Sequence, residues 1–112
     1  MHWSEKLYLG AGAEKYYRRI KWKIMHNIAQ TDIFLLLLPL KYEQHLQLVH
    51  STELLQKEWP ADSVCLVGIA SGKQEGLDMI AQITSEMYEE TGVIDYYGFF
   101  GFENPNIHRG KE

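Results

Sequence analysis

A chain of 112 residues, 46% of them hydrophobic, is long and apolar enough to bury a core, which excludes a disordered polymer. Its formal net charge of −4 excludes recruitment of nucleic acid by bulk charge. The average conceals an asymmetry. Residues 1–31 carry six Lys or Arg against two Glu, a balance of +4, and residues 32–112 carry five against thirteen acids, a balance of −8. Such a bipolar chain can present a basic patch on an acidic body, pair its own halves, or pair with a second copy.

Cys65 is the only cysteine and stands between Val64 and Leu66, as a small buried hydrophobe would. One cysteine closes no intrachain disulfide, and a reducing, cytoplasmic setting is expected. Glu5 and Gly10 interrupt any apolar leader. The apolar run 33–38 is too short to cross a bilayer, so no membrane association is expected. Residues 1–112 read as one compact α/β domain, with 103–112 as a frayed tail.

The first expected strand is 6–9, closed by Gly10 and Gly12. One long helix should follow over 13–30. Ala13, Tyr17, Ile20, Ile24 and Ile28 recur at helical spacing and form its apolar stripe. Lys15, Arg18, Arg19, Lys23 and His26 fall largely on the other side, around Trp22. The run 33–38, bounded by Asp32 and Pro39, fits a strand buried on both faces. A second helix is expected over 42–59, on a looser face of Tyr42, His45, Leu48 or Val49, Thr52, Leu55 and Trp59. The third strand is 64–69, rich in β-branched residues. A turn at 70–73 leads to a third helix over 74–90, with Leu77, Ile80, Thr84, Met87 and Tyr88 expected inward and Gly92 just past its end. Glu75 and Asp78 stand near its N-terminus, as the helix dipole prefers. The pattern is βαβαβα, which predicts three or four mainly parallel strands with right-handed crossovers. The aromatic segment 93–102, interrupted by glycines, is either a fourth, edge strand or an ordered arm over apolar surface.

Three stretches, LYLGAGAEKYYRRIKWKI, VGIASGKQEGLD and EETG, carry a resemblance to small uncharacterised proteins of clostridia-like bacteria. The resemblance covers most of 7–100 and implies a conserved accessory protein. That group has no assigned activity, so the resemblance transfers no role to any residue.

Gly10-Ala11-Gly12 follows a strand and opens a helix, as a dinucleotide fingerprint would. The third glycine is missing, because Lys15 occupies its place. Gly68 to Lys73 resembles part of a phosphate loop. That motif needs glycine at 67 and Ser or Thr at 74, where the chain has Val67 and Gln74. What survives is general chemistry. Backbone N–H groups at a helix start can hold an anion, and ligands of α/β sheets bind beyond the strands' carboxyl ends. Gly10, Gly12, Ser71, Gly72 and Lys73 are therefore the candidate site for a small phosphorylated or carboxylated ligand.

Ser71 lacks the Gly-x-Ser-x-Gly elbow and has no assigned base, so no catalytic residue is named. Five scattered histidines and one cysteine give no metal-ligand spacing, and no metal or cofactor is expected. Lys15, Arg18, Arg19, Trp22 and His26 form the candidate nucleic-acid surface, where cations would meet phosphates and the indole a base. Trp22, Phe99 and Phe100 are the candidate interface anchors. The sequence reads best as a non-enzymatic accessory or protein-interaction domain that self-associates as a homodimer. Anion binding and nucleic-acid binding are the rival readings.

Overall fold

The computed structural model describes residues 1–39, 45–55 and 64–102. Four strands form one sheet: β1 (His2–Leu9), β2 (Ile33–Leu37), β3 (Gln47–His50) and β4 (Cys65–Ser71), in the order β1-β4-β2-β3. β1 and β4 are parallel. β2 runs antiparallel to both of its neighbours, β4 and β3. The sheet is therefore mixed and mostly antiparallel, which corrects the expectation of a mainly parallel βαβαβα domain. The run 33–37 does have both faces covered, but two-sided burial leaves strand direction open.

Its alternate residues divide between two cores. Leu35 and Leu37 pack with Ala13, Ile20, Val49, Leu66 and Ile69 on one face. Leu36 and Leu38 pack with Val67, Met79, Ile83, Tyr97 and Phe100 on the other. The register slips once between β2 and β4, leaving Val67 as the extra residue beside Gly68. A Cβ on Gly68 would lie 2.7 Å from the Met79 sulfur and 3.0 Å from Leu36 Cδ1. Glycine here lets the helix of Met79 approach the bulged strand.

The expected first helix is two pieces, α1 (Ala11–Glu14) and α2 (Tyr17–Met25), parted at Lys15 and Tyr16. It ends at Met25 rather than at residue 30 because Asn27 takes a left-handed conformation (φ 57°). Asn27 N–H then bonds Ile24 O and Ile28 N–H bonds Lys23 O, the pair of reversed bonds of a Schellman turn. Ile28 consequently lies beyond the helix and is exposed, although Tyr17, Ile20 and Ile24 pack inward as their spacing predicts.

The helix expected over 42–59 is absent from its described part. That part is β3 followed by a 3-10 turn at Ser51–Leu55. Leu48 faces the helix-side core of Met79 and Val49 the opposite core, a period of two. His50 fixes the turn: its Nδ1 accepts from Thr52 N–H at 3.2 Å and its Nε2 donates to Thr31 O at 2.7 Å. Residues 42–44 and 56–59 of that expectation lie outside the described residues, as does the tail 103–112.

The third helix, α3 (Lys73–Thr91), lies where expected, and Gly92 ends it at φ 77°. Its inner face, however, is Gly76, Met79, Ile83 and Met87, so Leu77 and Tyr88, expected inward, are exposed instead. The aromatic segment forms neither an edge strand nor an extended arm. It forms a short helix, α4 (Tyr96–Phe100), started by Asp95, whose carboxylate accepts Gly98 N–H at 3.1 Å. Gly101 ends it at φ 79°. Tyr97 donates its hydroxyl hydrogen to the Pro39 carbonyl, which pins α4 over the end of β2. The result is three layers: α1 and α2, the sheet, then α3 and α4.

Candidate functional site

Because β1 and β4 are parallel neighbours, the two glycine turns sit side by side at their carboxyl ends, with Gly10 N–H bonded to Ile69 O at 3.0 Å. An anion already fills the space between them. Glu75, in the first turn of α3, accepts Gly12 N–H at 3.1 Å on one oxygen and Ser71 N–H at 2.9 Å on the other. A Cβ on Gly10 would stand 1.8 Å from that carboxylate, and one on Gly12 3.2 Å from it. The close approach of β1's turn to Glu75 is what these two glycines permit. Gly72, at φ 91°, turns the chain into α3 and donates its N–H to Asp32 O at 2.7 Å. Lys73 is exposed. The candidate ligand residues Gly10, Gly12, Ser71, Gly72 and Lys73 are thus brought together, around a carboxylate from their own chain. Sequence reasoning assigned Glu75 only to the helix dipole. An acid at the third helical position is where a side chain commonly turns back on its own N-terminus, and that signal was present.

The second candidate surface is the outer side of α2. Between Tyr17 and Met25 the helix carries Arg18, Arg19, Lys21 and Lys23 and no carboxylate. Trp22 is 54% exposed and Met25 62%, and Tyr16 is exposed beside them. One face of the Trp22 indole is stacked on His26, with ring centroids 4.1 Å apart and planes at 25°. His26 Nδ1 lies 2.8 Å from the Trp22 carbonyl. The Arg19 guanidinium stands over the Tyr16 ring at 5.4 Å. At the break between α1 and α2 an open depression of about 430 Å³ is lined by Glu14, Lys15, Tyr16, Tyr17, Arg18 and Arg19. Lys15, Arg18, Arg19, Trp22 and His26 therefore do share one region.

The opposite layer is charged the other way. α3 carries Glu75, Asp78, Glu86, Glu89 and Glu90 against Lys73 alone. Leu77 and Tyr88 are 45% and 59% exposed. They are eleven residues apart, three helical turns, and so share one side of the helix. Asp78 and Glu89, also eleven apart, flank them. Val93 and Ile94, just past the helix, are exposed as well.

No protein-family model, curated protein or solved structure matches the chain.

Of the candidate interface anchors, Trp22 is on the surface, Phe99 is half-buried and Phe100 is buried. The Lys6 ammonium lies 3.9 Å from the Phe99 ring centre, and Phe100 meets Tyr8 edge-on at 5.8 Å. Both rings serve the packing of α4 on the sheet. Tyr8 in turn donates to Glu86 at 2.5 Å. Burial, then that bond, raises the Tyr8 hydroxyl above its ordinary range. The Tyr8 bond, then one from Gln82 at 2.9 Å, holds the Glu86 carboxyl below its own. Burial pushes the Cys65 thiol and the Tyr97 hydroxyl up. Among the described residues no three His, Cys, Asp or Glu side chains are grouped to hold a metal ion. Among them, too, no helix is long and apolar enough to cross a membrane.

Proposed function

We propose that this protein is a non-enzymatic interaction domain that works by self-association, with the outer side of α2 as its docking surface. One observation carries the reading. Trp22 and Met25, each more than half exposed, lie beside Arg18, Arg19 and Lys23 on a helix whose inner side packs through the buried Ile20 and the half-buried Tyr17 and Ile24. Large exposed apolar groups rimmed by charge are the usual composition of a docking surface. The glycine-turn edge supports the same reading from the other side. The place where such a sheet would hold a small ligand is taken by Glu75. The reading goes with a cytoplasmic, reducing setting in which Cys65 stays a buried thiol.

Nucleic acid is the rival occupant of this surface. The exposed indole and arginines favour it. Two things weigh against it. Trp22 has one ring face already covered by His26, and the molecule as a whole is negative. Sedimentation equilibrium over about 1–100 μM, the range of ordinary weak interfaces, tests the reading. We expect the mass to rise with concentration, and Trp22→Glu to hold it at the monomer. A monomer mass throughout, with saturable binding of a single-stranded oligonucleotide, would replace the proposal with the rival.

A further inference from the structure

We infer that the partner of the α2 surface is the α3 surface of a second copy, so that copies associate head-to-tail. This rests on the self-association proposed above and adds the mode. The observation is the charge and apolar pattern of two helices on opposite faces of one sheet. α2 presents Arg18, Arg19 and Lys23, no carboxylate and the exposed side chains Trp22 and Met25, while Lys21 lies over the Trp3 and Tyr17 rings. α3 presents the exposed carboxylates of Asp78, Glu89 and Glu90, one lysine and the exposed side chains Leu77 and Tyr88, while Glu75 and Glu86 are engaged within the molecule.

Three pairings of these surfaces exist, and charge separates them. α2 on α2 would bring three cations from each copy together with no counter-charge. α3 on α3 would bring three exposed carboxylates and one lysine from each copy together. Only α2 on α3 joins opposite signs, and it also gives each exposed apolar pair a partner. Complementary charge orients such an encounter and speeds it, and like charges in juxtaposition suppress the alternatives. The depression between α1 and α2, where Lys15, Arg18 and Arg19 outnumber Glu14, carries net positive charge to meet acidic side chains flanking Leu77 and Tyr88.

Geometry then decides the symmetry. Ile20 of α2 packs on the sheet face of Leu35, whereas Met79 and Ile83 of α3 pack on the face of Leu36. The two surfaces therefore point away from each other across the sheet. One partner cannot engage both at once, so a two-fold dimer built from this contact is excluded. The contact is heterologous and leaves one free surface at each end. Such contacts propagate into a ring or an open stack.

Two double variants test the mode. Arg18→Glu with Arg19→Glu brings α2 to no net charge, and Asp78→Lys with Glu89→Lys does the same for α3. All four positions are exposed, and each altered helix being neutral, the altered surfaces do not attract one another. We expect wild-type protein at low salt to exceed dimer mass as concentration rises in sedimentation velocity. Each double variant alone should remain a monomer. Mixed in equal amounts they should form a dimer and stop there, because one intact α2 surface meets one intact α3 surface. The mixed dimer also proves that both variants are folded. If the wild type associates but the α3 variant associates equally well, the contact is α2 on α2 and the head-to-tail mode is overturned while self-association stands. A mixture that stays monomeric while the wild type associates overturns the mode too. If the wild type itself is monomeric throughout, the self-association reading fails and the mode falls with it.

Discussion

The Oε1 atom of Glu75 lies 3.1 Å from the backbone nitrogen of Gly12, a residue 63 positions earlier in the chain. With its other oxygen on Ser71 N–H, this one carboxylate ties together the ends of the two parallel strands. Removing it leaves two amide groups without their acceptor in a half-buried setting. Glu75→Ala should cost about 1–3 kcal/mol, and Glu75→Gln less, since its amide oxygen can keep one bond. Urea unfolding measures both. Acetate should recover part of the loss in the alanine variant by entering the vacated cradle, and should do nothing specific to wild type. Equal midpoints for wild type and Glu75→Ala would remove the tie from the account.

Tyr8 and Glu86 give the stability a pH signature. The Tyr8 bond, followed by the Gln82 bond, lowers the Glu86 carboxyl, so its contribution is present above the unfolded value and is lost as pH falls through the folded one. The Tyr8 hydroxyl is raised, by burial and then by Glu86, so its contribution is complete below its ordinary value of 10.0 and is lost as pH climbs through the folded one. Tyr8→Phe removes both effects. The gap in unfolding midpoint between wild type and variant should be widest near neutrality and close toward acid and strong alkali. A gap of constant size across that range would contradict the assignment.

Phe100 belongs to the monomer's own core, between Tyr8 and the helix α4 that carries it. Phe100→Ala should destabilise the fold by about 3–5 kcal/mol, the usual range for a buried phenylalanine. The loss should be the same in dilute and concentrated samples. A loss that grows with protein concentration would instead place Phe100 at a contact between copies.

How much of this could be read from the residues alone varies from element to element. The extent of α3 was legible from Gly92, though its inner face was not, since Met79 and Ile83 are buried where Leu77 and Tyr88 were expected. β2 and β4 were legible from their apolar and β-branched runs, and β1 only in its second half, because Ser4 and Glu5 interrupt the run. The direction of β2 was not, because a strand buried on both faces looks the same run either way. β3 was misread because Tyr42, His45, Val49 and Thr52 happen to fall at helical spacing, while the two residues that pack, Leu48 and Val49, are adjacent and face opposite cores. The early end of α2 depends on Asn27 adopting positive φ, which asparagine tolerates but does not demand. α4 had a readable start in Asp95 and a readable stop in Gly101, outweighed by the strand-like aromatics between them. Around the candidate site, the grouping of the two glycine turns and of the basic side of α2 was legible. The return of Glu75 to Ser71 was signalled by its place in the first turn of α3, but its reach to Gly12 was not, since the two meet only through the β1–β4 pairing.

The central claim is that copies of this protein attract one another through oppositely charged helical surfaces. The most direct measurement is the weight-average sedimentation coefficient of the unmodified chain against concentration, at low salt and at about 1 M salt, where the screening length falls to about 3 Å. The account predicts a coefficient that climbs with concentration at low salt and returns to the monomer value at high salt. A coefficient that stays at the monomer value in both, or that climbs equally in both, would contradict it.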